Sequence, residues 1–271
     1  MKYIKLFEYF QKTRQEPDTT LAWSAKKLDP LDIGVWKGKG IEPNRKIYKK
    51  GTRDGIPYSS RTMFTFPNDG TLLNNIKYID GGITRDNVAE LVDYGISLLP
   101  SKMELERYDV VLIPDSRSKL LVEIVDALLD IAPGYSSGKK DWKPNVINRA
   151  FSKRNCNEVE WDIEKLDRVN SQDTRNAVLR IIQNVGGKTE PFRLSDHLQY
   201  PPYRKFVSRY MDISPVAQED VRGKRVLIVD DFVTDGTTKR QMRDLVLPFG
   251  PKEVLNLALF NIKGARDSDE V

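Results

Sequence analysis

Apolar residues gather in the second half of the chain, and their spacing switches back and forth between two patterns. YDVVLI at 108–113, the VLIV centre of KRVLIVD at 224–230, and the stretch at 254–261 are short, nearly unbroken apolar runs. Runs of that length predict strands buried on both faces of a parallel sheet. NVINRAF at 145–151 predicts a further strand. Between these runs the spacing is helical. Val88, Leu91, Val92 and Ile96 predict a helix over about 85–99, with Thr84 as its cap and Pro100 as its stop. Leu120, Leu121, Ile124, Val125, Leu128 and Leu129 predict a second over 119–131, and a third is expected at about 238–247. Strand and helix in alternation predict a doubly wound, mainly parallel α/β domain over about 85–271.

The flanking segments read differently. Pro17, Pro30, Gly34, Gly38, Gly40 and Pro43 exclude long regular elements from the first fifty residues. Short strands are expected at 61–66 and 75–80, the second ended by Gly81-Gly82. Residues 1–84 therefore read as a small α+β hood or accessory region. The polar stretch from 152 to 222 predicts helices near 171–184 and 202–210, with a lid or insertion at about 152–205. No internal repeat or low-complexity tract interrupts the chain.

Charge alters this picture only at the N-terminus. The 271 residues carry a net charge of +5, and 31% are charged with both signs mixed, which suits a globular protein. Residues 1–60 hold 13 Lys/Arg against 7 Asp/Glu, interleaved with Tyr3, Phe7, Tyr9, Phe10, Trp23, Trp36, Tyr48 and Tyr58. Such a mixture suits either a nucleic-acid surface, with Lys46, Lys49, Lys50 and Arg53 around Tyr48, or a solvated basic face over a few core aromatics. The solvated face is the simpler expectation. One cysteine, Cys156, excludes an internal disulfide. One histidine, His197, excludes a site built on a His pair or a Cys/His cluster. Cys156 is expected to be inert and His197 to be a surface or lid residue. No apolar run reaches the roughly 18 residues of a membrane span, and MKYIKLFEYF predicts no secretory signal. The expectation is a soluble cytoplasmic protein whose chemistry uses carboxylates, hydroxyls, cations and backbone amides.

The candidate chemistry lies in VLIVDDFVTDGTTKRQM, residues 226–242. A buried strand ends on Asp230 and Asp231, and a short loop then opens a helix. Ligands of parallel sheets bind beyond the carboxyl ends of strands. Gly236 allows the backbone close to an anion, and the amides of 235–238 lie at a helix N-terminus, which attracts phosphate. Thr234, Thr237 and Thr238 add hydroxyl donors. The carboxylates require a donor-rich partner, such as a ribose diol or a hydrated metal. Phosphate and diol side by side describe a 5-phosphoribosyl group.

These residues resemble the 5-phosphoribosyl-1-diphosphate (PRPP) motif of the type I phosphoribosyltransferases. DVVLIPDSRSK (109–119) is similar to that family's strand and diphosphate loop. NVINRAF and FVSRYMDISPVAQEDVRGKRVLIVDD (206–231) are similar to the phosphoribosyltransferase part of glutamine-dependent amidophosphoribosyltransferase. The N-terminal nucleophilic cysteine of its glutaminase domain has no counterpart here. The resemblance, spanning about 85–262, implies a sheet of type I phosphoribosyltransferase kind. It implies transfer of the phosphoribosyl group from PRPP to a nucleobase or amine, with Mg²⁺ as cofactor and diphosphate released. Asp230 and Asp231 would hold the ribose hydroxyls and, through water, the metal. Thr234, Asp235, Gly236, Thr237 and Thr238 would surround the 5-phosphate. Asp115, Ser116, Arg117, Ser118 and Lys119 would bind diphosphate, with Arg117 and Lys119 acting on the leaving group. A homodimer is expected. Asp235 and Arg117 depart from the family's usual residues. The competing reading is a regulator of the same fold that senses PRPP and binds nucleic acid through its basic N-terminal region. A PRPP synthetase-like diphosphokinase is a weaker third reading, since no nucleotide-binding segment is visible.

Overall fold

The computed structural model describes residues 42–44, 47–66, 85–99, 105–116, 119–135 and 142–262. The expected strand at 75–80, the Thr84 cap and the Pro100 stop lie outside these residues. The described strands are β1 (Glu42–Pro43), β2 (Ile47–Arg53), β3 (Ile56–Phe66), β4 (Val110–Pro114), β5 (Asn145–Lys153), β6 (Glu160–Trp161), β7 (Val207–Arg209), β8 (Met211–Ile213), β9 (Arg225–Val233) and β10 (Glu253–Ile262). The helices are α1 (Arg85–Ser97), α2 (Lys119–Ile131), α3 (Ile163–Asp167), α4 (Gln172–Gly186), α5 (Leu194–His197), α6 (Pro215–Asp220) and α7 (Thr237–Val246).

The main sheet runs β1-β3-β10-β9-β4-β5-β8, with β2 also paired to β3. From β3 to β5 every pairing is parallel, while β1, β2 and β8 are antiparallel additions. This is the doubly wound α/β architecture that the alternation predicts. Strand period explains its two layers. Val111, Ile113, Leu227, Val229, Leu255 and Leu257 point to one face and pack with Val88, Leu91 and Val92 of α1 and Leu121, Ile124 and Val125 of α2. Val110, Leu112, Val226, Ile228 and Val254 point to the other, under Met242 and Val246 of α7 and Ala217 of α6.

The sheet takes strands from both sides of the boundary expected at 84/85. β2 and β3 form a hairpin whose turn residues, Asp54 and Gly55, have φ of 51° and 79°. Two positive φ values are what a right-twisted two-residue hairpin demands, and Asp-Gly supplies them. Along its length β3 then pairs with β10.

Residues 152–205 form a packed insertion. Leu166, Val178 and Phe206 build a small core of their own. Asp162 and Ser171 cap α3 and α4 by accepting from Lys165 N at 2.9 Å and Thr174 N at 3.2 Å. At its root Arg154 clasps Asp212 with two bonds of 2.9 Å. The helix expected at 202–210 does not form. Pro201–Phe206 is a 3-10 turn, and the chain then extends as β7 so that Val207 pairs with Trp161 of β6. Pro201 and Pro202 suit the first turn of a helix, but β-branched Val207 has a strand partner and takes it.

Phe260 is fully buried and touches the rings of Phe64, Phe66 and Phe232. Phe260→Ala should therefore cost about 4 kcal/mol, the sum of lost burial and a persistent cavity. Urea denaturation monitored by fluorescence checks this; a loss under about 1 kcal/mol would mean that the aromatic cluster is not a keystone of the core.

Candidate functional site

β4 and β9 are adjacent and parallel, so the loops that leave their carboxyl ends lie side by side. The first begins with Asp115 and Ser116, both exposed. Arg117 and Ser118 lie outside the described residues, and Lys119 is described only as the first residue of α2. The second loop, Thr234–Gly236, joins β9 to α7.

Gly236 is the N-cap of α7 with φ of 75°, the left-handed region where a Cβ is strained. That turn starts the helix and leaves its first amides without intrahelical partners. One amide is already engaged, as Thr237 N donates to Asp235 Oδ1 at 3.0 Å. The other oxygen of Asp235 meets Arg204 Nη1 at 3.1 Å. Arg204 reaches Thr234 Oγ1 at 3.3 Å with the same nitrogen and the Leu198 carbonyl at 3.0 Å through Nε. The side chains of this pair are only 10% and 13% exposed. Thr238 Oγ1 shares a 2.7 Å hydrogen bond with the Tyr210 hydroxyl, and burial pushes that phenol well above its usual value. Thr237 Oγ1 is buried, with no hydrogen-bond partner among the described residues.

The paired acids differ from expectation. β9 does not end at Asp230 but continues to Val233, because Phe232 and Val233 still pair with Phe260 and Asn261 of β10. Strand alternation then sends the two carboxylates to opposite faces. Asp230 is half-buried and lines a small cavity with Arg61, Lys239 and Asn256. Asp231 is 3% exposed, and its Oδ1 accepts from Phe232 N at 2.7 Å. Asp230 Oδ1 accepts from Asp231 N at 3.0 Å. The cations beneath Asp230 are themselves buried: Lys239 bonds Ser60 Oγ at 3.3 Å, Arg61 bonds the Leu98 carbonyl at 3.0 Å, and burial lowers the pKa of Arg61.

Two residues in this region escape a reading of the sequence. One is Arg204, which the sequence offers only as one of the charges of the 152–205 segment and which folding makes the partner of Asp235. The other is Arg149, whose φ of 53° is unusual for a side chain of its size. It sits where β5 shifts register against β4, Leu112 facing Ile147 but Pro114 facing Phe151. The bulge carries the guanidinium to the first loop, with Nε 3.5 Å from Asp115 Oδ1. Nothing in NRAF marks a bulge, since bulges are set by the neighbouring strand.

The site thus combines a glycine-opened helix N-terminus, hydroxyls, buried carboxylates and cations at one sheet edge. That combination, on an α/β sheet, is chemically suited to an anion and a polyol. Residues 194–269 match the family model of the phosphoribosyl transferase domain. The match covers α5 to β10, and so Arg204, both acids and the whole second loop. Over those residues the chain is similar to a phosphoribosyl transferase domain. No curated protein matches the chain. Among the described residues no helix is long and apolar enough to cross a membrane.

Removing one partner of a buried ion pair strands the other. Arg204→Met should cost about 3 kcal/mol, and adding Asp235→Asn should restore at least half by neutralising the orphaned carboxylate while keeping the cap. Urea midpoints of the two variants measure this; an Arg204→Met protein as stable as wild type would show the pair to be neutral.

Proposed function

We propose that this chain transfers the 5-phosphoribosyl group of PRPP to a nucleobase or amine, releasing diphosphate. The observation that carries the proposal is the left-handed Gly236, which opens α7 directly after a carboxylate-bearing strand whose parallel neighbour β4 leads into Asp115 and Ser116. In this reading the amides of Thr238 and Lys239, with the hydroxyls of Thr234, Thr237 and Thr238, receive the 5-phosphate. Asp235 now occupies an amide of that set. Phosphate binding therefore requires its carboxylate to turn aside, with Arg204 left to face the incoming charge.

Asp230 and Asp231 hold the ribose hydroxyls in this proposal, Asp230 being the more accessible. Asp115, Ser116, Arg117, Ser118 and Lys119 take the diphosphate, joined by Arg149. As the C1–O bond breaks, its electron pair leaves with the diphosphate, and cations placed there stabilise that charge. The acceptor nitrogen then forms the C1–N bond on an oxocarbenium-like carbon. Exclusion of water and a held ribose matter more to this step than a strong base.

The Asp230 and Asp231 carboxylates are hard oxygen donors that would hold a hydrated Mg²⁺ through water. When bound, that ion supplies positive charge to the diphosphate. In this reading residues 1–84 contribute the hood that reads the acceptor, and 152–205 the lid or insertion.

Arg53, one of the residues that a nucleic-acid surface would use, pairs with Asp244 of α7 at 2.9 Å while its side chain stays 54% exposed. The match of residues 194–269 to a phosphoribosyl transferase domain supports the enzymatic reading over the regulator. Calorimetric titration with PRPP and Mg²⁺, followed by diphosphate release across a panel of bases and amines, tests it. Binding is expected, together with release for at least one acceptor, and Asp230→Asn should lower release roughly a hundredfold, as loss of a positioning contact does. Absence of PRPP binding at about 1 mM would overturn the proposal.

A further inference from the structure

The single cysteine and single histidine of the chain are 41 residues apart, and the insertion brings them together. Cys156 Sγ lies 3.3 Å from His197 Nε2. Glu190 Oε1 lies 3.8 Å from the same nitrogen. One ligand atom from each residue falls within 4.8 Å of the other two.

Three separate segments build this cluster. The chain at 154–157 runs against 188–192, with Phe192 N donating to Arg154 O at 2.8 Å, Cys156 N to Glu190 O at 2.9 Å and Asn157 N to Lys188 O at 3.0 Å. That pairing sets Cys156 beside Glu190. α5 then delivers His197, whose ring stacks on Phe192 with centroids 5.2 Å apart. Cys156 is buried and the His197 side chain only 11% exposed, whereas Glu190 stands at the solvent mouth, 56% exposed. Burial first, and the Glu190 charge second, raise the pKa of the Cys156 thiol, which argues against a free nucleophilic thiolate.

We propose that Cys156, His197 and Glu190 form a zinc site that staples the insertion together. Zn–S near 2.3 Å and Zn–N or Zn–O near 2.0–2.1 Å give tetrahedral ligand–ligand edges of roughly 3.3–3.6 Å. The observed 3.3 and 3.8 Å stand within a few tenths of an ångström of two of those edges, and Glu190, on the exposed side, closes the third by drawing its carboxylate towards the sulfur from within 4.8 Å. Thiolate with imidazole selects a borderline-soft metal over Mg²⁺ or Ca²⁺. Water takes the fourth position. On binding, the thiol proton passes to solvent, no electron is transferred, and Lys188, now 3.4 Å from Glu190 Oε1, gives up that contact. The residue after His197 is Leu198, whose carbonyl holds Arg204 and through it Asp235. A metal at His197 therefore steadies the brace of the second loop.

Untagged protein stripped with chelator and kept reduced should be titrated with Co²⁺ and then Zn²⁺. The expected result is one Co²⁺ per chain, with a thiolate-to-cobalt charge-transfer band and tetrahedral visible bands, both erased by one equivalent of Zn²⁺. Cys156→Ser should lose the charge-transfer band. Glu190→Gln, changed at an exposed position that should not disturb folding, should bind Zn²⁺ at least tenfold more weakly, and His197→Gln about a hundredfold more weakly. Zn²⁺ should also raise the melting temperature of the wild type and not that of Cys156→Ser. A wild-type protein without the charge-transfer band, or unchanged Zn²⁺ affinity in Glu190→Gln, would overturn the proposal, even if His197→Gln fails to fold.

Discussion

Strand β9 must bury both of its faces, and the rest of the molecule is arranged to let it. Its Val226–Val229 run is inaccessible to solvent, so helices have to cover the sheet above and below. Parallel neighbours on both sides follow, because only crossover connections can bring chain to both faces. With β4, β9 and β10 parallel, the loops after β4 and β9 emerge at one edge. The proposed site is thus a product of the same burial that makes the core.

That core continues further into the site than a loop-based picture allows. Asp230 and Asp231 belong to the strand itself, and pairing with β10 holds their backbone. Desolvating carboxylates in this way is costly unless charge or hydrogen bonding compensates. Arg61 and Lys239 line the cavity that Asp230 lines, and the backbone amides of Asp231 and Phe232 bond the two side chains. The same logic appears at Asp235, whose charge is met by Arg204 and by the N-terminus of α7. The Asp235 carboxylate gives the loop a defined shape, which the proposed phosphate would have to displace.

The insertion supplies the cation that meets Asp235. Its root is tied by Arg154 to Asp212, where the hydrogen bonds and charges of Arg154 and Arg209 outweigh the opposing effect of burial and hold the Asp212 carboxyl below its ordinary range. Its far end supplies Arg204. Between them, Phe192, Leu198 and Tyr210 join the sheet's second face rather than an independent core. The segment is therefore a brace between β5 and the second loop, and its own small cluster of Leu166, Val178 and Phe206 lies outside that path.

Local signals were sufficient for much of this. The apolar runs of β4, β9 and β10 and the helical spacing of α1, α2 and α7 identify these elements because burial on a sheet imposes its period on the sequence. The VLIVDDFVTDGTT order identifies the second loop because glycine and threonine are what a helix N-terminus facing an anion requires. Asp54-Gly55 also announces the β2–β3 hairpin, although pairing of β3 with β10, almost two hundred residues later, carries no local mark. What lay beyond reach depends on residues distant in the chain. The strand through Asp231 to Val233 is held by β10, the β5 bulge at Arg149 by β4, and the extended chain at Val207 by Trp161. Counting one cysteine and one histidine excludes a Cys/His cluster by number, yet folding sets the two 3.3 Å apart with a glutamate beside them. The sequence by itself determined which segments would be buried and which glycine-bearing loop would open α7, since period and residue type act locally. Only the tertiary structure decided which charges meet, because Arg204 with Asp235 and Cys156 with His197 are neighbours solely through the packing of the insertion against the sheet.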